Sequence, residues 1–171
     1  MTMDDRPWTM VKRSIVHGPL SMYFRILYFF YKVYCFMLRP IRMGVRIMMI
    51  QDGRVWLIRH TYLPGWFMPG GGLKKWETLE QAARREAREE TGAELGEISL
   101  LGTFTSFIQW KTDHAVVFLC RDFKITGGSD GEIAELRAFP LDALPEDTFS
   151  SHRHLLEAFR KGEIKPNFGT W

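Results

Sequence analysis

The chain of 171 residues (20.0 kDa) is 46% apolar, 14% aromatic and 25% charged, enough to bury the core of one folded domain and too short for a second full one. A net charge of +3 with that aromatic content excludes a disordered chain. Two cysteines, Cys35 and Cys120, exclude a disulfide framework and a Cys-rich zinc module, and they point to a reducing compartment.

The charge is uneven along the chain. Residues 1–46 carry Arg6, Lys12, Arg13, Arg25, Lys32, Arg39, Arg42 and Arg46 against Asp4 and Asp5, a local +6, whereas the remainder is −3. An acidic body argues against general electrostatic binding of nucleic acid, and a basic head implies a separate task. The boundaries expected are a basic, aromatic-rich helical extension over 1–40, a catalytic domain over 41–162 and a tail over 163–171.

The extension holds one predicted helix, Pro19 to Leu38, which ends before Arg39-Pro40 because proline disfavours helical geometry in the residue preceding it. Ser21, Arg25, Lys32 and Arg39 are spaced by four, seven and seven and fall in one narrow stripe; the rest of the circumference is apolar. A membrane span needs about 20 apolar residues with few charges, and Arg25 and Lys32 split this run. A signal peptide fits poorly, since the stretch starts far in and no small-x-small site follows. Two coverings remain open for 19–38: packing on the following sheet or a partner subunit, as in a homodimer, or peripheral contact with an anionic membrane.

After Pro40 the pattern becomes strand-like. Arg42 to Ile50 and Arg54 to Arg59 flank Gln51-Asp52-Gly53 and read as a hairpin. A Pro/Gly-rich loop spans Leu63 to Gly72. A helix follows from Leu79 to Thr91, with Thr78 as N-cap, Gln81 completing a capping box and Gly92 at the C-cap. Strands are expected over Ile98 to Trp110, Ala115 to Phe123 and Ile133 to Phe139, and a last amphipathic helix over Ser150 to Lys161. There is no internal repeat or low-complexity tract.

The middle helix carries the chemistry. Glu86, Glu89 and Glu90 lie within one turn, so three carboxylates converge on one patch and repel unless a cation sits among them. Hard oxygen ligands of this kind suit Mg²⁺ or Mn²⁺, which bridge to phosphate oxygens. Taken alone, REAREE is the composition of a solvated helix face. The wider spacing overrides that: Gly71, five residues, Glu77, seven residues, then Arg85 to Ala93 fill every specified position of the Nudix box.

The chain therefore resembles the Nudix hydrolase family, over roughly residues 41–162, through the box, the WFMPGG stretch before it and the order of strands and helices. The resemblance implies an α/β fold, an α/β/α sandwich on a mixed sheet. It implies that Glu86, Glu89 and Glu90 bind metal, that Arg85 orients them, and that Gly71, Glu77 and Gly92 support the box. The carbonyl of Gly70 or Gly71 is the candidate to complete a metal site. The activity implied is divalent-metal-dependent pyrophosphohydrolysis of a nucleoside diphosphate linked to another group, releasing a nucleoside monophosphate. Bound Mg²⁺, or Mn²⁺ in its place, would neutralise the diphosphate and lower the pKa of the attacking water. The general base is Glu86, Glu89 or a later loop acid such as Glu132, with Asp130 and Glu135 beside it in sequence. The alternative is a Nudix-fold nucleotide-binding or regulatory module without turnover, against which the intact carboxylate set speaks.

The box leaves the substrate open. No proline stands near Gln109, where ADP-ribose enzymes of the family often have one, and Trp110 stands where dinucleoside polyphosphate enzymes tend to have tyrosine. The extended motifs of NADH and coenzyme A pyrophosphatases are absent. Trp66, Phe67 and Trp110 are the aromatics able to stack on a base, with Trp66 and Trp110 the expected substrate contacts. His60, His114, His152 and His154 show no metal-ligand spacing and read as structural or surface residues, His60 being the nearest to a pocket contact. A nucleotide substrate and two cysteines give an expected cytoplasmic location, with or without attachment to a membrane surface.

Overall fold

Apolar residues alternate between two faces in the run after Pro40, and that alternation sets the layers of the fold. The computed structural model describes residues 19–108, 110–164 and 167–170; Arg6, Lys12, Arg13 and Gln109 lie outside the described residues. The chain divides into two units, Met1–Arg39 and Pro40–Trp171. In the first, α1 spans Pro19–Leu38 as expected. In the second, the elements are β1 (Ile41–Gln51), β2 (Arg54–His60), α2 (Leu79–Thr91), β3 (Ala93–Leu95), β4 (Ile98–Ile108), β5 (Lys111–Cys120), β6 (Phe123–Ile125), β7 (Ile133–Pro140), α3 (Ser150–Arg160) and β8 (Asn167–Thr170).

The main sheet has the order β7-β2-β1-β5-β4-β8. The β1–β5 and β4–β8 pairs are parallel and the others antiparallel, so the sheet is mixed. Strand β1 supplies both faces. Val45, Ile47 and Met49 pack with Ala82 and Ala83 of α2, while Met48 and Ile50 pack with Leu155 and Leu156 of α3. The expected α/β/α sandwich follows from this period of two. The β1–β2 turn has Asp52 at φ 52° and Gly53 at φ 71°, the two positive values that a tight hairpin needs.

Three details differ from the sequence expectation. Strand β4 stops at Ile108 and Trp110 occupies the turn at φ 59°, so β5 begins at Lys111 instead of Ala115. The polar run Lys111–His114 is held as strand by pairing with β1 on one side and β4 on the other, which outweighs its weak strand propensity. Phe123 leaves β5 to head β6, which pairs with β3. Residues Asn167–Thr170, expected as tail, add to the edge of the sheet as β8. Cys35 and Cys120 are free thiols. Among the described residues no helix is long and apolar enough to cross a membrane.

Candidate active site

Helix α2 starts where Thr78 and Gln81 exchange hydrogen bonds of 2.9 and 3.2 Å in a capping box, and it ends on Gly92 at φ 65°. Its buried stripe is Ala82, Ala83, Glu86, Ala87, Glu90 and Thr91. Alanines on that stripe bring the helix close to the sheet, and the same geometry turns Glu86 and Glu90 inward. Two buried carboxylates on one stripe are costly unless paired or coordinated.

Arg85 supplies part of the compensation. Its Nε and Nη2 donate to the two oxygens of Glu77 at 2.7 and 3.0 Å. Its Nη1 donates to Glu86 at 2.6 Å and Glu89 at 3.0 Å, and Nη2 also donates to the Gly72 carbonyl at 3.1 Å. All five guanidinium N–H groups are thereby engaged. Hydrogen bonding to Arg85, then to the Lys74 N–H, holds the Glu77 carboxyl down at about 2. The same bonds, that to Glu77 first, raise Arg85 above its ordinary value. Glu89 is the open member of the set, with a side chain 43% exposed and Lys74 Nζ 3.5 Å away.

Glu90 is left differently. Burial pushes its carboxyl up to about 8, and the neighbouring Glu86 charge adds to the effect, although the Gly70 N–H donates to it at 2.6 Å. The loop that delivers Gly70 runs beside β1, with Val45 N–H donating to Gly71 O at 2.9 Å and Ile47 N–H to Pro69 O at 2.8 Å. A Cβ on Gly71 would lie 2.5–2.8 Å from the Glu86 carboxylate, so this approach of loop to helix requires glycine. The Gly70 carbonyl accepts from the Arg46 guanidinium. Arg46 is half-buried, and desolvation lowers its pKa against the raising effect of Glu90 and Glu86.

The donor chemistry fits a hard divalent cation. Glu86, Glu89 and Glu90 offer only oxygen, and the burial of Glu90, offset in part by the Gly70 N–H and the Arg46 charge, is one that a cation would relieve further. Among the described residues no three His, Cys, Asp or Glu side chains are already drawn together as a finished metal cage.

The loop over 127–132 docks at the end of α2, where the Asp130 N–H donates to Glu89 O at 2.8 Å. Asp130 is the loop acid whose charge reaches Glu90. The exposed Glu132 carboxylate lies near Tyr62, whose pKa burial and then the Glu132 charge raise, and Glu135 lies instead beside Arg59 at 3.8 Å. His60 stands between the Tyr62 and Phe67 rings, at 5.2 and 5.4 Å.

On the α3 face of the sheet is a chamber of about 740 Å³. Strand register assembles its floor: Arg42 lies opposite Asp113, Ser106 flanks Asp113, and Gly44 lies opposite Ala115, whose small side chains leave the space. Arg46, Phe149 and His152 line it further, and Gly71 borders it on the Glu86 side. Asp113 makes no side-chain hydrogen bond or ion pair among the described residues. His152 is buried, and its Nδ1 accepts from the Met68 N–H at 3.0 Å.

The aromatic expectations change here. Trp66 is 2% exposed in the core, edge-on to Phe139 at 4.7 Å and beneath the Arg59 guanidinium at 4.4 Å. It has no face left for a base. Trp110 is 54% exposed at the β4–β5 turn and is not part of the chamber lining. Phe149, which stacks on Phe67 at 5.3 Å, is the aromatic that borders the chamber. Sequence reasoning missed Arg46 and Asp113. The one available signal for Arg46 was a lone cation in an apolar strand, GVRIMMI.

Comparison with known proteins agrees with this geometry. The NUDIX domain model matches residues 40–159. The RNA pyrophosphohydrolase of Caulobacter vibrioides (strain NA1000 / CB15N) is 47% identical over 62 residues, covering 34% of this chain and 35% of that protein. The RNA pyrophosphohydrolase of Xanthomonas oryzae pv. oryzae (strain MAFF 311018) is 37% identical over 65 residues, 38% of this chain and 32% of that one. The match thus spans about a third of the length of these curated relatives. The crystal structure of the MutT NUDIX hydrolase from Burkholderia pseudomallei superposes with a TM-score of 0.60 at 29% identity, covering 68% of this chain and 96% of that one. With the family model matching well over half its length and the box carboxylates gathered around Arg85, the chain belongs to the Nudix family.

Proposed function

We propose that the protein is a divalent-metal-dependent pyrophosphohydrolase that cleaves a nucleoside diphosphate linked to a second group and releases a nucleoside monophosphate. The observation that carries this is the Arg85-organised carboxylate set together with a chamber of nucleoside size bordered by Gly71, the residue that lies against Glu86. Glu86 and Glu90 are enclosed and would hold Mg²⁺ or Mn²⁺ together with Glu89. The bound ion would neutralise diphosphate charge and acidify the attacking water. Glu89, open to solvent, is the carboxylate positioned to take the proton. Arg85 orients Glu86 and Glu89, and Asp130, with Glu132 on the same loop, supplies further negative charge near Glu90.

In the chamber Asp113 accepts hydrogen bonds from the nucleoside and Phe149 packs against it. Asp113→Asn is expected to raise KM about tenfold with little change in kcat, as for lost binding common to ground and transition states. The free cysteines and a nucleotide substrate support a reaction in the cytoplasm.

A Mg²⁺-containing panel of ADP-ribose, nucleotide sugars, dinucleoside polyphosphates, nucleoside triphosphates and a 5′-triphosphorylated oligonucleotide tests the reading. A monophosphate product from a small substrate supports it. Turnover of the oligonucleotide alone would move the substrate to RNA ends, the class named for the curated relatives. Binding without turnover would establish the regulatory-module alternative.

A further inference from the structure

Helix α1 belongs to the first unit of the chain. Ile26 to Tyr31 are six consecutive exposed apolar or aromatic residues. Each residue advances about 100° around a helix, so these six go right round it. Exposure continues through Val33, Tyr34, Phe36, Met37 and Leu38, reaching 74% at Met37.

The charges identify what covers it. From Arg6 to Gln51 the sequence holds eight Lys or Arg and no Asp or Glu. Of these, Arg25 and Lys32 lie on α1 with no acid beside them, so a second copy of the helix would bring two more cations and no counter-charge, which disfavours self-association through it. Arg25 and Lys32 stand two turns apart and mark one stripe with Ser21; Ile26, Phe30, Val33 and Met37 mark an apolar stripe roughly 120° round the helix from them. Lys32 Nζ lies 4.8 Å over the Tyr28 ring, and Tyr28, Tyr31 and Tyr34 stack at 6.4 and 6.5 Å. Such rings have an apolar body and a polar tip and are favoured at headgroup depth. A 20-residue helix is about 30 Å long, enough to span a bilayer, yet that orientation would bury both cations in hydrocarbon. Lying in the interfacial plane satisfies both constraints, with the apolar stripe among acyl chains and the cations at headgroup phosphates.

We infer that α1 is an interfacial helix that docks the protein on an anionic lipid surface through Ile26, Phe30, Val33 and Met37. The full-length protein is tested by co-sedimentation with vesicles of phosphatidylcholine alone or mixed with phosphatidylglycerol, at low and high salt. Binding is expected to the mixed vesicles and to weaken as salt rises. Arg25→Gln and Lys32→Gln should each lower it about fivefold, and Phe30→Glu with Met37→Glu should abolish it. Phe30→Trp gives a readout that needs no loss of binding, a blue shift of its emission on anionic vesicles. Thermal melting of each variant separates these effects from misfolding. Equal binding to neutral vesicles, no binding to either, or a stable dimer by light scattering that Phe30→Glu dissociates would each overturn the inference. None of these outcomes depends on turnover, so the proposed activity stands or fails separately.

Discussion

Helix α2 turns charged side chains inward, whereas α1 leaves apolar ones outward. Both break the ordinary pattern of a helix on a soluble domain, in opposite senses. In α2 the departure is confined to Glu86 and Glu90, on a stripe otherwise made of alanines and a threonine, and Arg85 compensates Glu86 through 2.6 Å contact. In α1 the departure covers the whole circumference from Ile26 to Tyr31. Each misplacement indicates the chemistry that resolves it: for buried carboxylates a cation, for exposed aromatics beside a basic stripe an anionic apolar surface. The two regions are therefore expected to respond to different perturbations.

The largest effect is expected in α2. Glu89→Gln removes both a metal-holding charge and the proposed base, and should lower kcat by on the order of 10³-fold or more, read in a product-release assay. Excess chelator should do the same to the unmodified protein. Mg²⁺ should also raise the melting temperature of the native chain, since ligand at about 100 times Kd adds about 2.7 kcal/mol. Full activity in chelator, or in Glu89→Gln, would show that α2 holds no working cation.

The next effect concerns geometry with charge retained. Arg85→Lys keeps a cation but presents three donors on a flexible stem in place of a five-donor planar fork. Glu77, Glu86 and Glu89 can then no longer all be held, and activity should fall about 10- to 100-fold, mainly in kcat and metal affinity. Gly71→Ala sharpens the same point from the loop side, because its Cβ would press on the Glu86 carboxylate. An active Gly71→Ala with unaltered metal affinity would show that the loop has room to give way.

The carboxylates were legible in the sequence because helical spacing and box spacing are both local along the chain. The sandwich was legible for a related reason, since β1 alternates its apolar residues between Val45, Ile47, Met49 on one face and Met48, Ile50 on the other. The chamber was hidden because register creates it: Asp113, Ser106 and Arg42 meet across three strands, and nothing in KTDH marks that run as paired on both sides. Trp66 misled because a Trp in a Pro/Gly-rich loop resembles a binding aromatic, whereas this loop folds back on the core, with Trp66 N–H donating to Asp147 O and its carbonyl accepting from Phe149 N–H. Strands β3, β6 and β8 have three or four residues each, too few for alternation to show.

Acidification should separate the two regions further. Burial, then the Arg46 charge, hold the His152 imidazole well below its ordinary value, and its Nδ1 accepts from Met68 while the Phe67 and Phe149 rings enclose it. The unfolded chain takes up this proton near pH 6.5 and the folded chain does not. Below about pH 6.5 the unfolded state therefore binds more protons, and stability falls as pH falls, by up to ~1.4 kcal/mol per pH unit. Above that pH the contribution is fully present. Chemical denaturation from pH 7.5 to 5 should show the loss, and His152→Gln, which keeps an acceptor, should flatten it. His60, lowered mainly by burial, acts in the same direction. Helix α1 contains no Asp, Glu or His, so its own charge does not change over that range. Vesicle binding at pH values where the fold survives should then stay constant.

The smallest expected effect is on catalysis by α1 itself. Phe30→Glu places a carboxylate in the middle of the exposed apolar stripe, a change that reverses its preference for lipid. The carboxylates, Arg85 and the described residues named for the chamber lie after Pro40, in the second unit of the chain. With a soluble nucleotide substrate and no vesicles, kcat/KM should therefore stay within about twofold, because surface substitutions away from a site change stability by less than ~0.5 kcal/mol. A drop beyond tenfold, with the melting temperature unchanged, would mean that α1 acts on the chemistry, and the two helices would then have to be treated as one functional element.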